Sequence, residues 1–320
     1  MTLKHEASFF QKINRSAIRA LGCTGKALAY PFHWCFPQKR FTIPTQSGTR
    51  QQGELAIPKI IWQTNFSEKS TLPIYLNYRF NRLLASDFEH RYVSTEARLK
   101  FFRETPLPFM PDALEVYEKL ADGAAQADFW RIAVLYLEGG IYMDIDATLV
   151  APLSRLLEGE SVALYIGKKK DDVTNYFLAT TPRNPVFKET LLQIRENILN
   201  HSGNESVFVT TGPDALKKVL IGKEFSFRQR NTVCIQGAFT NEYFQYMDKP
   251  RSKWIHKKSG EWIKKSQQKT PSAFGGAMER NTRSFRRQIS ENEFLEVATK
   301  FERQKPEFSH AITIEAPGGN

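Results

Sequence analysis

Apolar positions in this chain follow two periods, and the switch between them is sharpest in the middle. From Ala124 to Glu138 the apolar residues are dense enough for a buried helix, which Gly139 and Gly140 end because glycine accepts the left-handed conformation that closes helices. An alternating strand is predicted next, with Ile141, Met143 and Ile145 on one face and Tyr142, Asp144 and Asp146 on the other. Upstream, Ile57 to Gln63 reads as a buried strand and Glu89 to Val93 as a second. Downstream come strands at Ser161 to Ile166 and Tyr176 to Thr180, a helix from Pro185 to about Leu199, a short strand at Val207 to Thr210, and a helix opened by Pro213. This alternation predicts an α/β protein, a sheet flanked by helices. Ligands of such sheets gather at the carboxyl ends of strands, where Asp146 is expected.

The two ends follow other patterns. Phe9, Phe10, Ile13, Ala17 and Leu21 fall at helical spacing, with Lys12, Arg15 and Arg19 on other sides. This suits an interfacial amphipathic helix; the plain alternative is a helix packed on the protein's own core. Gln38 to Gly53, rich in polar residues with two glycines and a proline, reads as a linker. Beyond a polar stretch from Lys264 to Arg283, Ser284 to Arg303 has helix-compatible spacing, with Phe285, Ile289, Phe294, Val297 and Phe301 as its apolar face. The expected organisation is a basic amphipathic segment and linker over 1–53, a catalytic domain over 54–262 and a basic extension over 263–320.

Composition narrows the function classes. With 320 residues, 41% of them hydrophobic and 12% aromatic, the chain can bury a sizeable core. Its net charge of +11 sits at the ends: 8 Lys+Arg against 1 acid over residues 1–50, and 15 against 8 over 249–320, leaving 22 against 25 between them. A nucleic-acid binder needs a basic stripe across its folded surface, and no interleaving of basic and aromatic residues marks the core, so nucleic acid is not an expected partner. Basic ends suit an anionic membrane surface, which attracts each nearby Lys or Arg by about 1 kcal/mol. Cys23, Cys35 and Cys234 lack any paired spacing for zinc or disulfides, which suits a reducing cytosol. The first apolar stretch is broken by charges, and the uncharged run Ala27 to Gln38 is far short of the ~20 residues that span a bilayer. The expectation is a cytoplasmic protein, peripheral on the inner face of the cytoplasmic membrane.

The candidate chemistry lies at the strand end. Carboxylates as close as Asp144 and Asp146 repel, and a bound divalent cation would relieve that repulsion. Hard ions such as Mg²⁺ and Mn²⁺ prefer oxygen ligands, commonly one or two carboxylates plus substrate phosphates. Asp128 and Arg131, three apart on the preceding helix, share a face, and an arginine fork beside a metal site suits a diphosphate.

The run from Ala127 to Asp146 resembles the signature of glycosyltransferase family 32, which includes yeast initiating mannosyltransferases, bacterial capsular and lipopolysaccharide sugar transferases and the catalytic domains of large clostridial toxins. The shared order is Asp and Arg three apart on a helix, then Leu-Tyr, Gly-Gly, an aromatic and Asp-x-Asp. Ile57 to Gln63 is similar to the family's first strand, Asn175 to Ala179 to a middle strand, and Thr211-Gly212-Pro213 to the turn into a later helix.

The resemblance implies a GT-A-like nucleotide-sugar-binding sheet and a retaining transfer from a nucleotide-diphosphate sugar to a glycan or glycolipid acceptor, as in surface polysaccharide synthesis. Asp146, with Asp144 directly or through water, would hold Mn²⁺ or Mg²⁺. Arg131 would face the diphosphate, Asp128 the donor sugar hydroxyls, and Trp62 and Tyr142 would position the nucleotide. His256 and Trp262 would close the donor site; Glu261 stands where relatives carry a small residue, either as a further metal-side oxygen or facing solvent.

Two alternatives stand beside this reading. Asp144 to Leu149 also fits the Asp-x-Asp-x-Thr of haloacid-dehalogenase-like phosphatases, although only 27 residues separate Asp144 from the acid at Asp171. A non-catalytic nucleotide-sugar-binding protein would carry the same residues.

Overall fold

The computed structural model describes residues 2–50, 55–200 and 205–249, with side chains from residue 14 onward. Contacts divide the chain into Met1–Gln268 and Lys269–Asn320, and all described residues belong to the first unit. It begins with α1 (Thr2–Cys35), β1 (Phe41–Thr42), β2 (Gln46–Ser47), β3 (Ile60–Thr64), β4 (Lys69–Ser70), α2 (Leu72–Leu84), β5 (Glu89–Val93), α3 (Thr95–Glu104), α4 (Ala113–Lys119) and α5 (Gly123–Glu138). There follow β6 (Gly140–Met143), β7 (Ala147–Leu149), α6 (Leu153–Leu156), β8 (Ala163–Gly167), β9 (Val173–Thr180), α7 (Pro185–Leu199), α8 (Val207–Thr210), α9 (Pro213–Leu220), β10 (Phe227–Gln229), α10 (Arg230–Val233), β11 (Cys234–Gln236) and α11 (Glu242–Tyr246).

Among the described residues the main sheet has 7 strands in the order β10-β8-β9-β6-β3-β5-β2. It is mixed: β3 runs parallel to both β5 and β6, while β9 is antiparallel to β6 and β8. The α/β expectation is met. Side chains alternate across the sheet as the strand period requires. Trp62, Tyr142, Tyr165 and Leu178 face the core built with α5 and α7, whereas Ile61, Ile141, Met143, Leu164 and Phe177 face the opposite core. The central β6 is therefore buried on both sides, and whatever follows its last residue is fixed in place.

The α5–β6 joint depends on its glycines. Asp122 caps the start of α5, its carboxylate accepting from the Ala124 N–H at 2.7 Å. At the other end Gly139 and Gly140 take φ of +65° and +94°. A β-carbon on Gly140 would stand 2.6 Å from the Ile60 carbonyl oxygen, so the pair also permits a close approach to β3.

Four elements differ from the sequence pattern. The strand ends at Met143: the Asp144 N–H makes the last bond to β9, on Tyr176 O at 2.9 Å, and a turn closes from Ala147 N to Asp144 O at 3.0 Å. Val207–Thr210 is helical, because Ser206 O accepts from both Val209 and Thr210 N–H and the turn leads into Thr211; local bonding overrides the β-propensity of Val-Phe-Val-Thr. The expected linker carries β1 and β2, with Ile43 fully buried and β2 paired to the sheet edge at β5. The amphipathic segment is part of one helix from Thr2 to Cys35.

Gly140→Ala should lower stability by roughly 2–4 kcal/mol in urea unfolding, from backbone strain plus overpacking. Gly123→Ala, where a β-carbon meets nothing within 4 Å, should be neutral or slightly stabilising.

Candidate functional site

Arg131 organises the site. It is 5% exposed and Asp128, one turn earlier on α5, is 7% exposed, so both charges lie out of bulk water, an arrangement that persists only with partners. An Arg131 Nη lies 3.2 Å from an Asp128 oxygen and 3.2 Å from Asp144 Oδ1. The other Nη donates to the Asn175 carbonyl at 2.5 Å, and the guanidinium sits 4.2 Å from the centre of the Tyr142 ring. Asp128 also accepts from Asn175 Nδ2 at 2.9 Å and Thr211 Oγ1 at 3.1 Å. Tyr142 O–H donates to Asp144 Oδ1 at 2.8 Å.

The electrostatics follow. Burial pushes the Asp128 carboxyl up to about 7, although Arg131 pulls the other way. Burial opposes the charge of Arg131, but Tyr142, Asp144, Asp128 and Asp146 outweigh it and hold its pKa above the ordinary value.

The turn bearing the second carboxylate is held from α2. Asn77 Nδ2 donates to Ile145 O at 2.8 Å and Ala147 O at 3.0 Å, and Asn81 Nδ2 donates to Ala147 O at 2.8 Å. Asn81 also accepts from the Leu149 N–H at 2.9 Å. On the other side Gly237 N donates to Asp146 O at 3.0 Å, and the side-chain amides of Gln245 and Gln236 favour the charged form of the Asp146 carboxylate. Burial first, and the like charge of Asp144 second, push Asp146 up to about 6. The two carboxylates therefore sense one another, brought together by a turn rather than by the face of one strand.

The Asp144 side chain is 28% exposed and Asp146 is half-buried, so each keeps a solvent-facing part. Among the described residues no group of 3 or more His, Cys, Asp or Glu assembles to enclose a metal ion. Two open carboxylates do fit a hard cation that takes its remaining oxygens from a diphosphate and water. Lys249 lies near the pair: burial and Arg98 lower it to about 8, while Asp146 and Asp144 pull it back up. Lys249 and Gln245 also line a shallow crevice with Asn65, Ser67, Thr71 and Phe244, just beyond the end of β3.

Asp128, Arg131, Asp144 and Asp146 thus converge, as the sequence pattern predicts. Trp62 does not join them. It is 6% exposed and its indole N–H donates to Gly139 O at 2.9 Å, at the opposite end of β6, so it is a core residue and a nucleotide-stacking role does not suit its placement. Tyr142, 1% exposed, supports Arg131 and Asp144 and presents no ring to a base. His256 and Trp262, with Glu261, lie outside the described residues. Sequence reasoning missed Asn77, Asn81, Gln236, Gln245 and Lys249. Only the asparagines left a signal, being two amides one turn apart in an otherwise largely apolar helix. Lys170 to Asp172, the segment that would hold the distal acid of the phosphatase alternative, lie just after β8, and Asp172 pairs with Lys217 at 3.1 Å.

Residues 73–163, which contain nearly all of α2, Arg131 and both carboxylates, match a family model described as "Glycosyltransferase sugar-binding region containing DXD motif". The resemblance read from the signature run is borne out. The chain is 29% identical over 140 residues to the initiation-specific alpha-1,6-mannosyltransferase of Candida albicans, covering 40% of this chain and 36% of that protein. It is 30% identical over 160 residues to an uncharacterized glycosyltransferase of Acanthamoeba polyphaga mimivirus, covering 47% and 62%. The match thus spans between about a third and three fifths of these relatives' lengths. Among solved structures, the PaToxG glycosyltransferase aligns with 67% of this chain and 79% of its own at 18% identity and a TM-score of 0.35.

Asn77→Ala would leave Ile145 O and Ala147 O without that donor, and should cost about 2–3 kcal/mol in chemical denaturation. A cost below about 0.5 kcal/mol would show that the turn stands without Asn77.

Proposed function

We propose that this protein is a metal-dependent glycosyltransferase that moves a sugar, with retention of anomeric configuration, from a nucleotide-diphosphate sugar to a glycan or glycolipid acceptor. The observation that carries the reading is the Arg131 cluster, a buried cation locked between Asp128 and Asp144 beside a half-open Asp144–Asp146 pair, inside the segment that matches the family. Retention is what the family resemblance implies. The name of the Candida relative makes a nucleotide-linked mannose the first donor to test.

In this reaction the chain's residues divide the work. Asp144 and Asp146 would hold Mn²⁺ or Mg²⁺, which when bound neutralises charge growing on the leaving nucleoside diphosphate. Arg131 fixes Asp144 before substrate arrives and adds a positive charge that does not reorganise during reaction. Lys249 stands where a second positive charge can meet the phosphates. Asp128, with both oxygens engaged by protein donors, keeps Arg131 in place and presents its spare lone pairs to donor hydroxyls. The acceptor we favour is a surface polysaccharide precursor, built in the cytoplasm; the free thiols of Cys23 and Cys35, both exposed, suit a reducing compartment.

Asp146→Asn keeps shape and removes charge. It should cut Mn²⁺-dependent transfer by at least about 10²-fold while leaving the unfolding midpoint unchanged; transfer within threefold of wild type, roughly, would overturn the ligand assignment. A second check is pH. An acid raised to about 6 holds its proton below that value, so Mn²⁺ affinity by calorimetry should fall as pH drops from about 7 to 5. A flat profile would remove Asp146 from the site.

A further inference from the structure

Helix α1 has two apolar sides. Its inner line, Ile18, Gly22, Ala29 and His33, is buried against the rest of the unit. A β-carbon on Gly22 would lie 2.3 Å from Ala238 O, and His33 Nε2 accepts from the Leu72 N–H at 3.0 Å. This line is not the apolar face read from the sequence, whose described members Ala17 and Leu21 are exposed. The opposite side faces solvent yet is not polar: Leu21, Leu28 and Trp34 are 53%, 64% and 84% exposed, and Phe36, just past the helix end, is 58% exposed. Helical geometry puts Ala17, Leu21, Thr24, Leu28, Pro31 and Cys35 along this side, all exposed and none charged.

We propose that this outward side of α1 seats the protein on an anionic membrane surface. The charge pattern selects that occupant. Arg15 and Arg19 stand near one end of the apolar side and Lys39 beyond the other, where Arg40 is instead paired with Asp248 at 2.5 Å, in a segment, residues 1–50, with 8 Lys+Arg and 1 acid. Two copies pressed together through this side would bring like charges face to face, whereas anionic headgroups complement them. Trp34 at one end of an apolar stripe is the residue favoured at the lipid interface. Among the described residues no helix is long and apolar enough to cross a membrane, so the apolar side lies in the plane of the surface.

The helix is also tied to the site. Lys26 Nζ donates to Gly237 O at 2.9 Å, and Gly237 N donates to Asp146 O at 3.0 Å. A seated α1 therefore holds the carboxylate turn beside the bilayer, which makes the acceptor a lipid-linked one; this last step rests on the proposed transferase activity.

The test is flotation of the full chain with phosphatidylcholine vesicles, with and without phosphatidylglycerol, alongside sugar release from a soluble nucleotide sugar. Wild type should float with the anionic vesicles and be released by salt. The double variant Leu28→Ser with Trp34→Ser should partition at least about tenfold less, with sugar release unchanged. Equal flotation of variant and wild type, or no flotation of wild type, would overturn the membrane proposal; so would a wild-type dimer that the variant converts to monomer. Absent sugar release with intact flotation would instead strike the transferase reading.

Discussion

The site depends on a single buried guanidinium. Arg131 is buried away from bulk solvent and would be ruinously placed without the two carboxylates and the carbonyl that surround it. Removing one partner of such a buried pair typically costs about 3–5 kcal/mol, because the other charge is left uncompensated. That penalty forces convergence. Asn175 arrives from β9, Thr211 from the turn before α9, Tyr142 and Asp144 from β6 and its end, and each reaches the same α5 turn. Residues up to 83 positions apart are thus held together by the need to satisfy a charge.

Around this rigid cluster the protein grades its order. The Asp144 oxygen nearest Arg131 is already bonded, and the backbone on either side of Asp146 is pinned by Asn77, Asn81 and Gly237. What remains free is the outer part of the two carboxylates and the crevice next to them. Backbone fixed from within and oxygens open outward is the arrangement that lets a site meet a charged substrate without reorganising.

Much of this was legible in the sequence, for identifiable reasons. Local signals were strong where one residue type has one use: Gly139-Gly140 marked the helix end, Pro185 and Pro213 the helix starts, and the dense apolar run the central helix. The four residues of the acid–arginine cluster were legible because charges inside an apolar run demand partners. Alternation was followed one step too far past Met143, since a turn after a strand leaves no mark when Ile145 continues the pattern. Trp62 shows the reverse limit. A tryptophan in a buried strand has the same neighbours in sequence whether it stacks on a base or, as here, bonds the Gly139 carbonyl. Gln245 and Lys249 could not have been found, because their role arises only when α11 folds back over the turn.

The occupied oxygen of Asp144 has a consequence for turnover. With Arg131 and Tyr142 both drawing on Oδ1, the protein offers an incoming ion few unclaimed donors. In the proposed reaction a site that sparse would grip a bare cation weakly and gain most of its hold from the nucleotide itself. The ion would then come and go with its cargo, so that discharge of the spent nucleotide empties the whole site at once.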